Sequence, residues 1–347
     1  MKKKLFIMCM SLVWTVALMA QRIAVVDTDG GTKTFRTFKE AIEGASSGST
    51  IYLPGGGFSI ADSVKITKKL TIIGIGHKSN NDNVDGATII SGNLFFNQGS
   101  SGSAVMACYI TGNVNIGEGG AAVNDVLIKC CNLKSVQVLN SNCQEIVINQ
   151  NYIRNPSYFG GTNAQVTNNV LHSISGVVNG LVSYNIVLGA YTYEHGGVWG
   201  GGDYSYVANI GAETSIIYYN VLNPNVPYYY SKGYGGHTYV LGTENQCFSN
   251  LTVNNKDMSN GDCAIVLGNE GLNDVFENYN NGSISPNSDF HFKDEFSQYQ
   301  SQIGIYAGNG FNDHQTAPVP YIVSKSIPDQ TDASGKLNIK IRVKAGE

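Results

Sequence analysis

The sequence predicts an all-β protein: a single-stranded right-handed parallel β-helix with a short N-terminal capping helix and a C-terminal β-hairpin. Its composition is the first indication, with 41 glycines, only 14% charged residues and almost no helical periodicity after residue 50. Short β-branched and aromatic runs alternate instead with glycine, asparagine and serine, as in proteins built from many short strands. A recurring asparagine-containing unit is the second indication, because a period near twenty residues is typical of a parallel solenoid.

The recurring unit is an apolar residue, one or two variable residues, an asparagine and two mostly apolar residues. One copy is Tyr184-Asn185-Ile186-Val187. The asparagines follow one another at intervals of 19, 18, 16, 35 and 30 residues, and the two longest intervals indicate inserted loops. These asparagines are Asn132, Asn151, Asn169, Asn185, Asn220 and Asn250.

Stacking of such units has a simple physical basis. Each coil leaves its strand edges unpaired, so the next coil stacks on it at about 4.8 Å and supplies the missing hydrogen bonds. At that spacing, residues 50–285 predict roughly eleven coils and a rod about 50 Å long. Asparagine tolerates left-handed backbone and forms local hydrogen bonds, so we assign the recurring asparagines to the bends between strands. This role is structural and not catalytic.

The two ends of a solenoid need covers, because open strand edges invite edge-to-edge growth. Thr37 and Glu40 form a capping-box pattern, so residues 37–46 are predicted to form a helix over the first coil. Residues 284–320 are irregular. Residues 336–344 alternate apolar and polar, so they are predicted to pair with residues 320–327 as a hairpin that caps the last coil or has a small surface role.

The N-terminal segment has the pattern of a secretory signal peptide. Three lysines precede an apolar run from Leu5 to Leu18, and Ala20 is a small residue suited to cleavage. We therefore expect a leader at 1–20, a β-helix at 21–320 and a hairpin extension at 321–347. Export predicts a protein that is extracellular, on the cell surface or in the periplasm. No later segment approaches about 18 uninterrupted apolar residues, so no membrane span is expected.

Charge restricts the class of partner. Without residues 1–20 the net charge is −7, and the whole chain has four arginines. A nucleic-acid partner requires clustered lysine and arginine to neutralise phosphates, so no nucleic-acid partner is predicted. Acidic polysaccharides are disfavoured by the same argument. The oligomeric state is left open.

Cysteine and histidine spacing predicts no metal site and no cofactor. Neither the six cysteines after residue 20 nor the six histidines have the spacing of metal ligands. Export would permit disulfides, but the spacing matches no small disulfide scaffold. Most of these cysteines are expected to be small buried residues of the interior. They are Cys108, Cys130, Cys131, Cys143, Cys247 and Cys263.

Two stretches resemble a known group of proteins. Residues 35–76 (FRTFKEAIEGASSGSTIYLPGGGFSIADSVKITKKLTIIGIG) resemble the opening coil of pectate-lyase-like β-helix proteins, where an F-x-x-A-I helix precedes a G-x-T-I-Y-L-P-x-G strand. Residues 303–347 resemble the tails of secreted β-helix proteins of gut-dwelling Bacteroidetes. The resemblance implies fold and compartment, and little chemistry.

The chain departs from the catalytic patterns of that group. Its pectate lyases hold Ca²⁺ with several acidic residues on one sheet and use an arginine as base, whereas here Arg154 is the only central arginine and no acidic trio accompanies it. Its pectin hydrolases carry N-x-D, D-D, G-H-G and R-I-K motifs, and here Gly236-His237 is followed by threonine. Neither set carries over, and Ca²⁺ is expected only if the protein is a lyase.

One tyrosine-rich region interrupts the repeat. Residues 191–239 contain eleven of the twenty tyrosines, and nine of these lie in the glycine-rich stretches 191–206 and 228–239. Loops inserted into a solenoid gather on one face, and exposed aromatic rings stack on sugar rings. A glycan-binding platform is therefore predicted from Tyr191, Tyr193, Trp199, Tyr204, Tyr229 and Tyr234.

The same region supplies candidate acids and bases. A glycoside hydrolase would use a carboxylate pair such as Glu194 and Asp203. A polysaccharide lyase would use a base beside a uronic carboxylate. The candidates for that base are Lys232, His195 and His237.

Three hypotheses remain open. The favoured one is carbohydrate recognition by the tyrosine-rich face, and the first alternative is a lyase or hydrolase at the same face. The second alternative is a non-catalytic adhesion or scaffold protein, whose tail strand pairs with the edge of a partner. Tyrosine and glycine could also serve only as strand and turn residues, which would leave this region without a ligand.

Overall fold

Three sheets, A, B and C, extend along the molecule, and successive coils add parallel strands to them. The predicted right-handed parallel β-helix is thereby confirmed. The computed structural model describes residues 22–60, 64–78, 86–189, 191–195, 204–223, 240–253, 263–267, 270–279, 284–313, 321–326, 330–331, 334–337 and 339–344.

Sheet A defines nine coils within the described residues, numbered 1–9 in chain order. Its parallel strands are β3 (Thr50–Tyr52), β6 (Thr71–Ile73), β9 (Ala104–Met106), β12 (Leu127–Lys129), β15 (Val147–Asn149), β18 (Gln165–Thr167), β21 (Leu181–Ser183), β26 (Ile216–Tyr218) and β29 (Gln246–Phe248).

Sheets B and C contain the second and third strands of the coils. Sheet B has β4 (Gly56–Ser59), β7 (Thr88–Ser91), β10 (Tyr109–Ile110), β13 (Asn132–Leu133), β16 (Tyr152–Ile153), β19 (Val170–Leu171), β22 (Ile186–Val187), β27 (Val221–Leu222), β30 (Asn250–Thr252) and β31 (Ala264–Val266). Sheet C has β5 (Val64–Ile66), β8 (Leu94–Phe96), β11 (Val114–Ile116), β14 (Val136–Val138), β17 (Ser157–Phe159), β20 (Ile174–Val178), β25 (Ile210–Glu213) and β28 (Val240–Leu241). A short 3-10 helix, Glu118–Gly120, follows β11.

Within the described residues sheet A has nine parallel strands and sheet B has ten, beside a prediction of roughly eleven coils. Long connections use residues without adding a coil. Residues 188–209, for example, connect β22 to β25 within a single coil.

The first coil is covered as predicted. Strands β1 (Ile23–Val26) and β2 (Thr32–Phe35) extend sheet A in antiparallel fashion, and helix α1 (Phe38–Gly44) follows them. The capping box is present, because Thr37 accepts a hydrogen bond from the Glu40 backbone and Glu40 accepts one from the Thr37 backbone. Phe38, Ala41 and Ile42 are buried on its inner side.

Asp27 is expected to make the stability of this N-terminal cover depend on pH. The side chains of Lys33 and Ser49 donate hydrogen bonds to the Asp27 carboxylate at 2.8 and 2.6 Å, and they lower its pKa from 3.8 to about 2. The pKa is lower in the folded state, so the stabilisation exists above pH 3.8 and is lost as the pH falls towards 2. Acid titration of the unfolding midpoint should show this loss, and Asp27→Asn should remove it. Glu43→Gln on α1 is the control, and an equal loss of pH dependence in that variant would contradict the assignment.

The recurring asparagines are structural, but they do not lie at the left-handed bends. Asn169 and Asn185 are fully buried, and the Asn185 side-chain oxygen accepts hydrogen bonds from the backbone and the side chain of Asn169. The left-handed residue is the one before each asparagine, as at Asn168 (φ 54°) and Tyr184 (φ 60°). Linked side chains therefore form a ladder along the interior corner between sheets A and B. The asparagine ladder consists of Asn151, Asn169, Asn185, Asn220 and Asn250.

Asn132 is not part of this ladder, although the sequence pattern predicts it as the member in coil 4. Asn132 pairs in register with Tyr152, so it occupies an outward position of sheet B. Cys131 holds the ladder position, and its backbone N–H donates to the side-chain oxygen of Asn151 at 2.8 Å. In coil 4 the small thiol of Cys131 therefore takes the place of the asparagine amide that marks the repeat.

The expectation for the cysteines is confirmed for four of them. Cys108, Cys130, Cys131 and Cys143 are free and buried, and burial raises the pKa of the Cys130 thiol to about 11. The other two form the disulfide Cys247–Cys263, with 4.8 Å between their Cα atoms. Within the described residues, no helix is long and apolar enough to cross a bilayer.

The outer face of sheet B at coils 5 to 9 is covered by residues 270–279 and 284–313, which we call the C-terminal cover. It comprises α2 (Leu272–Val275), the antiparallel pair β32 (Phe276–Asn278) and β33 (Asp289–Phe292), and a 3-10 helix (Asp294–Tyr299). Buried side chains of the cover pack on outward residues of sheet B, including Tyr152, Val170, Ile186, Val221 and Leu251. The segment predicted as merely irregular therefore builds a second apolar core.

Polar contacts hold the cover in register with the coils. The Asn168 side chain donates to the carbonyls of Ile305 and Ala307, both at 2.8 Å. The Gln150 side chain donates to the Gly310 carbonyl at 2.9 Å. The left-handed bend residues of coils 5 and 6 thus anchor the cover.

The predicted C-terminal hairpin is confirmed. Strand β34 (Tyr321–Ser326) pairs antiparallel with β35 (Lys340–Lys344), with Ile322 opposite Val343. The function of covering apolar surface, however, belongs to the C-terminal cover, whose side chains are buried against sheet B.

Candidate functional site

The predicted glycan platform is only partly described by the structure. Tyr191, Tyr193, Glu194 and His195 lie on β23 (Tyr191–His195), which pairs antiparallel with β24 (Tyr204–Ala208) so that His195 is opposite Tyr204. The other predicted residues lie outside the described part of the chain, and their assignment stays a prediction. They are Trp199, Asp203, Tyr229, Lys232, Tyr234 and His237.

The two tyrosine-rich insertions leave the β-helix at the same corner of consecutive coils. The first lies between β22 and β25, and the second between β27 and β28. Strand β22 pairs with β27, and β25 pairs with β28, so the residues that flank the two insertions are neighbours. The expectation that inserted loops gather on one side of the solenoid agrees with this anchoring.

Sheet A differs from sheet B in having an open outer face. The middle residue of each short strand points inward, as Ile128 and Ile148 do, and both are fully buried. The flanking residues, such as Leu127 and Val147, are half-buried, and Ile216 is 40% exposed. The outward side chains of β12 to β29, together with the corner residues that precede and follow these strands, are called the sheet A face.

A groove of about 400 Å³ lies on this face at coils 4 to 6. Leu127 and Val147 supply apolar walls, and the amide side chains of Asn163 and Gln165 supply hydrogen-bonding groups. Asp125 and Glu145 stand at one edge, at left-handed corner positions with φ of 57° and 59°. The lining is Asp125, Val126, Leu127, Glu145, Val147, Asn163 and Gln165.

The carboxyl groups of Asp125 and Glu145 interact at the groove edge. Hydrogen bonding to Asp125 raises the pKa of Glu145, and repulsion between the two charges raises it further. The pair therefore holds a proton to a higher pH than an isolated glutamate would.

Four aromatic rings form a cluster farther along the same face, at coils 7 to 9. The rings of Tyr218 and Phe248 are stacked, with centroids 5.2 Å apart and an interplanar angle of 3°. Tyr184 and Tyr219 approach the Tyr218 ring edge-on, at 5.5 and 5.0 Å. Phe248 is 41% exposed, and the three tyrosines are half-buried. We call Tyr184, Tyr218, Tyr219 and Phe248 the aromatic cluster.

The sequence contains a signal for this cluster within the repeat itself. Tyr184 and Tyr219 directly precede ladder asparagines, and Tyr218 and Phe248 end strands of sheet A. Equivalent positions in neighbouring coils lie about 4.8 Å apart, so aromatic residues recurring at one repeat position must form a column. Aligning the copies on the ladder position would have revealed it.

A second polar cluster lies on the C-terminal cover. The His291 ring stacks on Tyr306 at 3.9 Å, and its Nδ1 lies 2.6 Å from Asp289. Partial burial acts to raise the pKa of Asp289, but hydrogen bonds and charge attraction from His291 outweigh it and lower that pKa. Burial, followed by the negative charge of Asp313, raises the pKa of Tyr306. These contacts link β33 to residues 306–313.

Metal ligands do not converge in the described part of the chain. No group of three or more His, Cys, Asp or Glu residues there is arranged to hold an ion.

Comparison of the chain with protein-family models, with curated proteins and with solved structures found no match.

Proposed function

We propose that this protein is an exported carbohydrate-binding protein that holds a glycan along the sheet A face. The observation that carries the proposal is the aromatic cluster, which combines a stacked ring pair with a half-exposed surface. Tyr218 and Phe248 offer apolar rings to the flat faces of sugars, and tyrosine hydroxyls can bond to sugar hydroxyls.

The groove supports the same proposal. Coils 5 and 8 are about 15 Å apart at about 4.8 Å per coil, so the groove and the aromatic cluster lie on one extended surface. Asn163 and Gln165 are donors and acceptors suited to sugar hydroxyls. Asp125 and Glu145 would repel an anionic chain, which favours a neutral glycan over a polyuronate.

The tyrosine-rich insertions form the second part of the proposal. Residues 191–239 are proposed to form a separate binding surface at the corner between sheets B and C of coils 7 and 8. Export rests on the N-terminal pattern of residues 1–20, and kinship with secreted pectate-lyase-like proteins of gut Bacteroidetes rests on residues 35–76 and 303–347.

Removing one ring of the stacked pair is expected to weaken glycan binding about tenfold, because an aromatic contact contributes about 1.4 kcal/mol. The purified protein is screened on a glycan array, and the affinities of Phe248→Ala and Tyr218→Ala are then measured for the best ligand by titration calorimetry. Tyr158→Ala is the matched control, since Tyr158 is 46% exposed on sheet C.

Two outcomes contradict this proposal. One is that no glycan on the array binds the protein. The other is that Phe248→Ala and Tyr218→Ala bind as tightly as the unaltered protein, while melting at the same temperature. The second result, combined with loss of binding in Trp199→Ala, would move the site to the insertions.

The enzyme hypothesis is tested on the same ligand. Release of reducing ends would indicate a hydrolase, and absorbance of unsaturated products would indicate a lyase. Glu194→Gln and His195→Ala should then abolish product formation if the catalytic groups belong to the first insertion. Binding without product supports recognition alone, and silence in every assay supports the adhesion or scaffold alternative.

A further inference from the structure

The C-terminal hairpin carries an apolar row that is exposed in the structure. Leu337, Ile339, Ile341 and Val343 alternate along the chain and are 45%, 52%, 54% and 57% exposed. Ile339, Ile341 and Val343 are the three most exposed large hydrophobic residues in the described part of the chain. Alternate residues of an extended strand share one side. A two-stranded hairpin is also marginally stable in water by itself. The exposed apolar row is therefore expected to be covered by a partner in the functional state of the protein.

Basic residues accompany this apolar row. Lys340 and Arg342 are exposed between its members, and Lys325, Lys336 and Lys344 belong to the same hairpin. Residues 321–347 contain five basic and three acidic residues, giving a charge of +2, whereas residues 22–320 contain 14 basic and 23 acidic residues, giving −9. Positive charge is thus concentrated where the apolar row is exposed.

A second copy of the chain is a poor occupant of this surface. Four half-exposed aliphatic side chains form a patch of roughly 400 Å², so two copies face to face would bury about 800 Å² in total. Specific dimers bury about 1,200 Å² or more. Two hairpins with five basic residues each would also repel one another.

We propose that the hairpin docks the protein on an anionic lipid surface. An apolar side accompanied by lysine and arginine is typical of amphipathic segments that lie in a membrane interface. Leu337, Ile339, Ile341 and Val343 enter the boundary between headgroups and acyl chains. Lys340 and Arg342 extend along the surface to lipid phosphates, since long basic side chains can reach headgroups from a neighbouring position. The acidic body stays in solution, and the glycan-binding face is not involved.

The test is co-sedimentation of the full chain with vesicles of phosphatidylglycerol and phosphatidylethanolamine, and with vesicles of phosphatidylcholine alone. Binding is expected to the anionic vesicles and to weaken at 1 M salt, where the Debye length falls to about 3 Å. Lys340→Glu/Arg342→Glu should bind at least about 30-fold more weakly, because each basic residue near an anionic surface strengthens binding about fivefold. Ile341→Asp/Val343→Asp should bind at least about tenfold more weakly.

Leu139→Asp is the matched control, because Leu139 is 48% exposed on the body of the β-helix. It should bind vesicles like the unaltered protein. All four altered side chains of the hairpin are exposed, so the variants should keep the melting temperature, which is measured in parallel. Equal binding to both vesicle types, no binding to either, or undiminished binding by both hairpin variants would overturn the proposal. A stable dimer in sedimentation that Ile341→Asp/Val343→Asp dissociates would instead make the occupant a second copy.

Discussion

Replacing Asn185 with leucine is expected to lower the free energy of unfolding by about 4 kcal/mol, although the two side chains have similar volumes. A buried polar group that loses its partner costs about 1–3 kcal/mol, and this substitution removes partners from several groups at once. The free energy of unfolding is about 5–15 kcal/mol in proteins generally. One change in the asparagine ladder should therefore remove a large fraction of the free energy of unfolding.

The contacts of Asn185 explain the size of this effect. Its side-chain nitrogen donates to the carbonyls of Val166 and Ser183, at 2.8 and 3.0 Å, and to the side-chain oxygen of Asn220 at 2.9 Å. Its oxygen accepts two hydrogen bonds from Asn169. Leucine would leave these groups buried without partners, in a corner with no access to water.

Urea unfolding followed by circular dichroism measures this effect. The control is Asn149→Ala, because Asn149 is half-buried on the sheet A face and donates only to Thr167. Its removal should cost about 1 kcal/mol or less. Similar losses for the two variants would show that the ladder has no special energetic role in this fold.

Replacing Phe290 with alanine is expected to destabilise the C-terminal cover by about 3–4 kcal/mol. Phe290 is 1% exposed, and its ring meets those of Phe276 and Tyr279 at centroid distances of 5.4 and 6.1 Å. The cavity would lie between the cover and sheet B, outside the interior of the coils. The loss should therefore be local, and the asparagine ladder should remain protected.

Hydrogen exchange distinguishes a local loss of stability from a global one. In Phe290→Ala, amides of residues 270–313 should exchange faster, and amides of coils 1 to 3 should exchange at the original rate. Phe248→Ala, which removes a half-exposed ring of the aromatic cluster, should leave both regions unchanged. Uniformly faster exchange in Phe290→Ala would contradict the view that the cover is a separate cooperative unit.

The interior of the β-helix could be predicted because its pattern is local and repeated. One inward residue such as Ile148 must stack on another such as Ile128, because the strand edges of each coil are satisfied only by the next. The capping box of Thr37 and Glu40 is likewise complete within four residues. The hairpin of β34 and β35 needed only an alternating strand and a turn.

Register and coil number were less predictable. A thiol at Cys131 replaces an asparagine of the ladder, so the repeat was aligned on Asn132 instead. Hydrogen bonds across the corner identify the ladder position, and the chemical type of one residue does not. Connections such as residues 188–209 lengthen the chain without lengthening the rod, so chain length alone does not give the number of coils.

Sequence alone thus determined that the chain is a capped parallel β-helix with a terminal hairpin, since these features follow from short-range patterns. Tertiary structure alone decided which outer face is open. Outward Val170 of sheet B and outward Leu181 of sheet A are similar apolar residues, yet Val170 is buried and Leu181 is half-buried. The difference comes from a cover more than 100 residues later in the chain, whose phenylalanines pack on sheet B. Burial of an outward side chain depends on such distant contacts, which no local pattern of charge or hydrophobicity records.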